Sequence, residues 1–534
     1  MTLLTEKGTF AKSTGAQPAS QEVNLVGAFQ PKALWLWGSM VTANATYNES
    51  HEFHYGFSDG TDDSAISGSL QDANGDMTVA SSMIRNDAIV TIVDTATNAE
   101  IARASVTSFD SDGFTLSWTV NNATAYIIHY MAVGGTDITN AKVITTTTGT
   151  TSTGNAGYTG VGFQGNFVNF LLGSATATVA AVNTLSAGWG VWMGAAVSSS
   201  KRWTLGISEE RGASLADNYA GFLNDQCLAT YNHDTGAIDM EADFVSFDAD
   251  GFTVNYGNAP ASATQVLSFI VVKGGTWDLG DFAGQNDTNN QDIALTAGLT
   301  PSAVMIFSKG DATTDSGVAA EGNGRLSIGG ADASLNQGCI WTGSQDGANI
   351  SVTARISLVT ELIRCATENA TATSSTTTAA CAINNMTTPD LFRIDWTTAT
   401  LFRFAWFVVG PGAAPPAVTD EERYMAVSTL VGDYIPPWMN DLMVKIGGSR
   451  TNVRTFPMLK MRNSLRNSLS SLHSYVKQFL HDPCSSPDRG PLPHLRHGTR
   501  DQIRKTLDKF GPRLPTAVLL KSRHTLPSPI IRRF

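Results

Sequence analysis

Hydrophobic and polar residues alternate over short stretches along most of this chain. In the segment Phe114-Thr-Leu-Ser-Trp118, the apolar side chains fall on one face of an extended strand and the hydroxyl side chains on the other. Similar segments recur between turn sequences such as Asp59-Gly-Thr-Asp-Asp63, and no clear 3.6-residue period accompanies them. The pattern predicts an all-β fold built from antiparallel β-sandwiches.

The same stretch of sequence occurs three times. Residues 106–118 are closely matched by residues 244–256, an offset of 138 (244 minus 106), and a more divergent copy covers residues 391–396. Each copy leads into a second apolar run that ends on a glycine. These glycines are Gly134, Gly274 and Gly410. A repeat of this length predicts tandem whole domains rather than the short units of a solenoid.

The end of the chain has a different composition from the rest. Residues 1–419 hold 16 lysines and arginines against 38 acidic residues, whereas residues 420–534 hold 19 against 9, so the formal charges are −22 and +10. Between them, a proline- and glycine-rich segment at 410–416 reads as a linker. Beyond it, apolar residues spaced by three and four predict amphipathic helices within 458–479 and 499–510.

We therefore predict three tandem antiparallel β-sandwich domains followed by a basic, partly helical C-terminal appendix. The predicted boundaries are 1–139, 140–278 and 279–413 for the domains and 414–534 for the linker and appendix. Three interpretations of the appendix stay open: a folded assembly or anchoring element, a disordered basic tail, and a segment joined on by a reading-frame shift. The acidic domains are a poor fit for nucleic acid, which needs clustered lysines and arginines, and such a partner stays open for the basic tail.

Targeting signals and cysteines add two expectations. The N-terminus has no basic segment followed by an apolar one, and no run of about 18 apolar residues occurs, which predicts neither a conventional secretory signal nor a membrane span. In the repeat, Cys227 and Cys339 align with Ile89, so we expect both to be small buried hydrophobic residues. Whether Cys365 and Cys381 form a disulfide stays open.

One motif invites a catalytic interpretation. The sequence Gly56-Phe-Ser58-Asp-Gly60 matches the nucleophile elbow of serine hydrolases, but an acidic turn follows it where the motif requires a helix. The serine is lost in the third copy, so we expect Ser58 to be an ordinary residue at the end of a strand. No pair of carboxylates suited to glycan hydrolysis stands out either. The sequence thus predicts a non-enzymatic protein with no catalytic residues.

Two acidic turns are weak candidates for a metal site. Asp110 and Asp112 precede a glycine in the first copy, and Asp248 and Asp250 precede one in the second. Paired carboxylates beside a glycine offer oxygen ligands to Ca²⁺, but a complete loop needs a downstream glutamate, which neither copy has. We favour the turn interpretation, and we predict neither a metal nor any other cofactor.

Candidate ligand-binding residues come from the variable middle of each copy. An exposed aromatic ring stacks on the apolar face of a sugar, and carboxylates in turns accept its hydroxyl groups. The candidates are Tyr47, Trp189, Trp203 and Trp341 for stacking, and Asp59 and Asp72 for the hydroxyl groups. For each aromatic residue, a position in the core or at its rim is the favoured alternative.

Three segments of the first copy resemble the H-type lectin domain. They are an opening strand with the pattern F-x-P-K-A from Phe29, a strand running from Val106 to Leu116, and a closing strand Y-M-A-V-G that ends at Gly134. The resemblance implies a small six-stranded antiparallel sandwich that forms trimers and binds N-acetylgalactosamine-type sugars. The middle of each copy is longer than that family needs, and no sugar-contacting residue carries over.

The tandem glycine- and threonine-rich sandwiches also resemble phage tail or capsid surface proteins. We therefore expect a non-enzymatic virion surface or tail protein with lectin-like domains, which serves structure or attachment to a glycan or host cell surface. Expected partners are that surface, other virion proteins and further copies of the chain, with a trimer implied by the resemblance. The alternatives are a cellular carbohydrate-binding adhesin, exported by a non-classical route, and a glycan-degrading enzyme.

Overall fold

A computed structural model describes most of the first three predicted domains. The described residues are 2–71, 80–97, 99–176, 185–187, 189–209, 218–232, 235–312, 314, 321–348, 352–368 and 375–412. The appendix at 414–534 and its two predicted helices lie outside them, so these predictions stay predictions. Within the described part, the fold is all-β, as the alternation predicted, and no helix there has the length and hydropathy needed to cross a membrane.

The strands fall into three groups of equal size and order. In the first unit they are β1 (Leu3–Ala11), β2 (Ala19–Asn24), β3 (Pro31–Gly38), β4 (Asn48–Glu49), β5 (His51–Ser58), β6 (Asp63–Leu70), β7 (Ser81–Arg85), β8 (Val90–Val93), β9 (Glu100–Asp110), β10 (Gly113–Val120) and β11 (Ile127–Gly135). In the second unit they are β12 (Ile138–Thr147), β13 (Gly154–Tyr158), β14 (Phe167–Thr176), β15 (Leu185–Ala187), β16 (Trp189–Ser198), β17 (Lys201–Glu209), β18 (Asn218–Leu223), β19 (Leu228–Tyr231), β20 (Ile238–Asp248), β21 (Gly251–Asn258) and β22 (Gln265–Gly274). In the third unit they are β23 (Thr276–Ala283), β24 (Asn290–Ala294), β25 (Ala303–Ser308), β26 (Glu321–Gly322), β27 (Gly324–Asp332), β28 (Gln337–Ser344), β29 (Thr353–Leu358), β30 (Ile363–Thr367), β31 (Thr376–Asn385), β32 (Leu391–Thr398) and β33 (Arg403–Gly410).

Each unit is a sandwich of a seven-stranded sheet and a four-stranded sheet. The large sheets have the orders β1-β11-β3-β5-β6-β7-β15, β12-β22-β14-β16-β17-β18-β26 and β23-β33-β25-β27-β28-β29-β4. The small sheets have the orders β2-β10-β9-β8, β13-β21-β20-β19 and β24-β32-β31-β30. The sandwich is therefore larger than the six-stranded one that the lectin resemblance implies, because the long middle of each copy supplies additional strands.

The strand around Phe114 packs into the sandwich core, as its alternation predicted. Trp118, Tyr256 and Trp396 occupy equivalent positions and are 0%, 1% and 2% exposed, which confirms the predicted register of this strand. In the first and third units, a glutamine on the neighbouring strand accepts a hydrogen bond from the indole Nε1, at 2.9 Å from Gln21 and 2.8 Å from Gln291. These two indole nitrogens are thus satisfied without opening the core.

The seventh strand of each large sheet comes from a neighbouring unit. A short arm in the second unit, β15, pairs with β7 of the first; β26 of the third unit pairs with β18 of the second; and β4 of the first unit pairs with β29 of the third. The three exchanges close a cycle within one chain. The linkers between units are short, as expected. Because of the exchanged arms, residues 1–414 form one compact body instead of three separate domains.

The large sheets also bury a common apolar face, which we call the shared core. It contains residues from all three units, among them Trp35, Phe167, Trp277 and Phe407. The rings of Phe167 and Trp277 are stacked with centroids 4.2 Å apart, and those of Phe167 and Phe407 are 4.9 Å apart. Each unit therefore has two cores: its own between its two sheets, and one that exists only when all three units are together.

The structure corrects one part of the repeat alignment. Ile89 and Cys227 are equivalent, since both amides donate 2.9 Å hydrogen bonds to matching carbonyls of the small sheet. In the third unit the same bond is made by Leu362, whereas Cys339 lies within β28 of the large sheet. Cys339 is nevertheless fully buried, as a small hydrophobic residue. The alignment of Cys339 was wrong because it relied on a short sequence match and not on the number of residues between Cys339 and the next strand.

Cys365 and Cys381 are buried free thiols in the structure. They lie on the neighbouring strands β30 and β31, where Cys365 is opposite Ala379 and Cys381 is opposite Ile363. Burial raises the pKa of Cys365 to about 12, so its thiol stays protonated and unreactive at neutral pH. The hairpin does not bring the two sulfur atoms into a cross-strand pair.

Candidate functional site

The predicted stacking residues fall mainly inside the protein. Trp203 and Trp341 are both 0% exposed, so neither can stack on a sugar at the surface and both are withdrawn as ligand contacts. Trp203 belongs to the shared core and donates from its indole Nε1 to the carbonyl oxygen of Trp406 at 2.9 Å. Trp341 belongs to the sandwich core of the third unit. The alternative core interpretation holds for these two residues.

Tyr47 has a different role from the one predicted. It lies just before β4 in the arm of the first unit, and its ring meets the ring of Trp341 edge-on at 6.2 Å. Trp341 belongs to the third unit, so the tyrosine anchors the arm where it crosses between units. Nearby, the amide of Ala45 donates to the carbonyl oxygen of Ser357 at 2.9 Å. Tyr47 is thus a residue of the interface between units.

Asp59 is also a contact between units. Its Oδ1 accepts hydrogen bonds from the amides of Thr61 and Asp62 at 2.8 Å, which fixes the turn between β5 and β6. Its Oδ2 accepts the amide of Val143, in β12 of the second unit, at 2.8 Å. Because both oxygens are used and the side chain is only 3% exposed, Asp59 is not available for sugar hydroxyl groups.

The remaining predicted ligand residues lie where less is described. Trp189 begins β16, and its side chain is outside the described part of the structure. Asp72 lies in residues 72–79, which are also outside it. These two candidates therefore stay predictions.

The four weak calcium candidates act as turn residues. Asp110 accepts hydrogen bonds from the hydroxyl groups of Ser108 and Thr115, both at 2.7 Å, and Asp248 accepts the equivalent bonds from Ser246 and Thr253. Asp250 accepts the amides of Gly160 and Gly162. No cluster of three or more histidine, cysteine, aspartate or glutamate side chains suited to a metal occurs among the described residues.

Asp112 and Ser58 also have structural surroundings. The backbone carbonyl of Asp112 accepts the amide of Leu25 at 2.7 Å, which ties the turn to the neighbouring strand. The hydroxyl of Ser58 accepts the amide of Gly60 at 2.9 Å, and Ser58 is fully buried. It hydrogen-bonds to the neighbouring carboxyl of Asp63, whose pKa burial raises to about 7. This is a strand end, as predicted.

We call the contact between two units a junction. An aspartate is found at the other two junctions as well, a pattern that the sequence did not reveal. Asp332 in the turn between β27 and β28 accepts the amide of Lys7, in β1 of the first unit, at 2.9 Å. At the third junction the aspartate lies on the receiving strand: Asp278 accepts the amide of Leu279 and pairs with Lys201 of the second unit. At each junction a carboxylate thus accepts one edge-strand amide in a charge-assisted hydrogen bond. The bond crosses between units at Asp59 and Asp332, whereas at Asp278 it stays within one strand and the contact between units is the ion pair with Lys201.

We expect Asp59→Ala and Asp332→Ala each to lower the free energy of unfolding by about 1–3 kcal/mol, since each leaves a buried amide without its acceptor. Chemical denaturation of the full chain measures this loss. The matched control is Asp287→Ala, an exposed turn aspartate whose carboxylate accepts the amide of Asn289 within the same loop. It should change stability by less than about 0.5 kcal/mol. Equal effects of the three changes would contradict the junction role.

A chain of buried polar groups joins the three units. Glu209 of the second unit is 3.4 Å from Nδ1 of His51 in the first, and it also accepts the hydroxyl of Ser344 in the third. All three residues are at most 1% exposed. The contacts hold the units in register. Two side chains with metal-binding groups do not make a metal centre.

The outer faces of the small sheets are the exposed repeated surfaces of this structure. Their strands turn short polar side chains outward, and equivalent cross-strand pairs recur in each unit. The pairs are Ser20 with Ser117, Asn155 with Asn255, and Asn290 with Asp395. In the second pair, Asn255 Nδ2 donates to Asn155 Oδ1 at 2.6 Å. Amide, hydroxyl and carboxylate groups of this kind suit a hydroxyl-rich ligand.

A void of about 10 Å³ in the shared core beside Trp35, Trp277 and Phe407 has an apolar lining and is too small for any ligand beyond a single water. The candidate site is therefore a set of three polar surfaces, together with the junctions that fix their spacing.

Comparisons with known proteins give no family for this chain. No protein-family model matches the sequence, and no curated protein matches it. Among solved structures, the mouse laminin alpha1 chain, domains LG4-5, shows 11% identity and a TM-score of 0.09, covering 49% of this chain and 88% of that one. A similarity this low supports no conclusion about fold or ligand.

Proposed function

We propose that this chain is a non-enzymatic surface or tail protein of a phage virion, whose three lectin-like units act as one rigid body in attachment to a glycan or host cell surface. The observation that carries the proposal is the recurrence of an exposed polar sheet face at three equivalent positions. Because the arms and the shared core fix the units together, three weak contacts would act at once.

The chemistry of these faces favours hydroxyl-rich ligands over charged polymers. Their central positions hold serine, asparagine and aspartate, and the cations Arg103 and Arg393 on these sheets are paired with Glu100 at 3.6 Å and with Asp292 at 2.5 Å. A single face of this kind would bind a sugar in the millimolar range, about −4 kcal/mol. Three faces on one body raise the apparent affinity by a factor of about 10² or more when the ligand is dense enough to reach all of them.

The test is binding of the labelled full chain to a glycan array and to host cells. Three variants, Ser117→Lys, Asn255→Lys and Asp395→Lys, each block one face with a long charged side chain. We expect each single change to weaken binding to dense glycans several-fold and the triple change to abolish it, because avidity depends steeply on the number of faces. The matched control is Asn286→Lys, which adds the same side chain in an exposed loop of the third unit.

Two outcomes would contradict the proposal. Unchanged binding by the triple variant would place the ligand elsewhere on the chain. Absence of glycan and host-cell binding, combined with assembly of the chain into virion components, would leave a structural role alone and reduce the lectin resemblance to one of fold.

A further inference from the structure

One of the three junctions lacks a covalent connection. The first and second units are joined through residues 135–138, and the second and third through residues 274–276. The first and third units meet only through side chains, hydrogen bonds and the exchanged arm β4. We call this contact the closing junction. Its stability alone decides whether the cycle of units is closed.

The closing junction carries charge at a position where the other two are apolar. On the first strand of each large sheet, one residue faces the shared core and donates its amide to an aspartate. This residue is Lys7 in the first unit, Val143 in the second and Leu279 in the third. Val143 and Leu279 are both buried in the shared core. Lys7 is only 3% exposed, although it carries an amino group.

A second difference lies on the neighbouring strand. His129 lies opposite Trp37 in the first unit. The equivalent residues are Ser268, opposite Leu171 in the second unit, and Ala405, opposite Phe307 in the third. The histidine is fully buried, and its Nε2 lies 2.8 Å from the hydroxyl of Ser357 in the third unit. It is the only titratable group of these three equivalent residues.

The partner surface on the third unit is adapted to this histidine. Ser357 corresponds, by its place in the edge strand, to Ile84 and Phe222, which are both buried in the shared core. The ring of His129 stacks on that of Trp37 with centroids 5.5 Å apart, and Lys7 Nζ donates to the carbonyl oxygen of Gln337 at 2.6 Å. Among the described residues no carboxylate pairs directly with His129, so a proton added there would gain no ion-pair partner.

Titratable and charged groups surround the histidine on the strands packed against it. They are Lys7 on β1, Glu52 and His54 on β5, Asp332 on β27, Cys339 on β28 and Arg355 on β29. Asp332 is engaged by the Lys7 amide, and Glu52 lies 3.3 Å from His54. Arg355 donates to the carbonyl oxygens of Glu49 and Ser50 and so holds the arm of the first unit on the third.

We propose that the closing junction is an acid-sensitive latch, in which protonation of His129 separates the first unit from the third while the two linked junctions stay intact. The charge would be buried between Trp37, Ser357 and the cation of Lys7. Opening returns the imidazolium to water and frees the arm from β29. The latch adds regulation to the body proposed above, but it does not depend on glycan binding.

The sign of the pH dependence follows from burial. Desolvation, with the nearby Lys7 and His54, lowers the pKa of His129 well below its usual 6.5. The open form therefore binds the proton more tightly, so the closing free energy is fully present above about pH 6.5 and decreases as the pH falls. Burial also lowers the pKa of Lys7 to about 8, so this lysine is protonated throughout the acidic range. It therefore does not change the closing free energy between about pH 6.5 and 5.

Asp63 has the opposite sign and must be separated from the effect. Its pKa of about 7 means that the folded form holds the proton more tightly than the unfolded form, so its contribution favours folding as the pH falls below 7. Asp63 lies in the first unit, where it accepts the amide of Val106. A measurement at the closing junction itself is thus needed, because a global melting curve would combine the two effects.

Hydrogen exchange of the full chain provides that measurement. Amides of β29, the strand that receives the first unit's arm, are compared with those of β7 and β18, which receive the other two arms. After correction for intrinsic exchange, we expect the β29 amides to lose protection by up to about tenfold per pH unit between about pH 6.5 and 5, the limit for one proton. Protection in β7 and β18 should change far less.

The matched variants replace His129 with the residue that the second or the third unit has at the equivalent position. His129→Ser copies the second unit and His129→Ala the third, and both should keep β29 protected in acid. Ser357→Ala retains the histidine and should still open, which guards against a variant that merely weakens folding. Unchanged protection of the native chain in acid would refute the latch. Equal loss in β7, β18 and β29, or acid opening that persists in both histidine variants, would refute it as well.

Discussion

Replacement of Trp35 by alanine is expected to lower the free energy of unfolding by about 3–5 kcal/mol and to weaken all three units together. Trp35 is fully buried in the shared core, within 6.4 Å of the ring centroids of Phe167 in the second unit and of Trp277 and Phe407 in the third. Its indole Nε1 also donates to Asn169 Oδ1 at 3.2 Å. The cavity left by this change opens onto residues from every unit.

Trp118→Ala is the matched control for this prediction. Trp118 is as fully buried as Trp35, but it packs in the first unit's own sandwich core. We expect a similar loss in free energy from chemical denaturation, again about 3–5 kcal/mol. Hydrogen exchange should separate the two, since protection falls in all three large sheets for Trp35→Ala and first in the first unit for Trp118→Ala. Loss confined to the first unit in both variants would mean that the units fold independently.

The sandwich fold was predictable because its signal is local. Strand alternation places Phe114 and Trp118 on one face whatever the rest of the chain does, and the same pattern recurs at Phe252 and Tyr256. The long middle of each copy was visible as extra length. Its role was not, because pairing between β4 and β29 joins residues about three hundred positions apart, and nothing in either segment encodes its partner.

Closure of the units also explains why Trp203, Trp341 and Asp59 were misplaced as site residues. Trp203 and Trp341 lie in strands that face a core made by more than one sheet or unit, so their aromatic character served packing. Asp59 appeared to be an exposed turn residue, since the strand that covers it comes from the second unit. A comparison of the equivalent residues Lys7, Val143 and Leu279 would have indicated that the closing junction is polar. Their equivalence, however, follows from the strand register, which the sequence did not provide.

The latch and the shared core have opposite effects on the same contact. The apolar residues of the shared core favour the closed body, whereas Lys7, His129 and Ser357 replace apolar burial with desolvated polar groups at one junction alone. A body of this kind is weakest where no linker crosses. Opening at that place would separate the first unit from the third and would remove Tyr47 from the edge of the third unit's sandwich core.

The largest loss is expected from alanine at three equivalent glycines of the large sheets. A Cβ at Gly56, Gly194 or Gly329 would lie 2.1, 2.0 or 1.7 Å from a backbone carbonyl oxygen, belonging to the segment that leads from the large sheet to the small one. Those oxygens are on Ile89, Cys227 and Leu362. Because backbone cannot rotate away like a flexible side chain, the two layers would have to separate.

We therefore expect Gly329→Ala to cost more than about 4 kcal/mol or to prevent folding, with Gly56→Ala and Gly194→Ala close behind. Soluble yield and chemical denaturation of the full chain measure the effect. The control is Gly157→Ala on the exposed strand β13, where the nearest neighbouring atom to a new Cβ is Thr253 Oγ1 at 3.9 Å. That change should stay within about 0.5 kcal/mol of the native chain. A Gly329→Ala protein as stable as the Gly157→Ala protein would show that the two sheets do not approach as closely as the carbonyl of Leu362 requires.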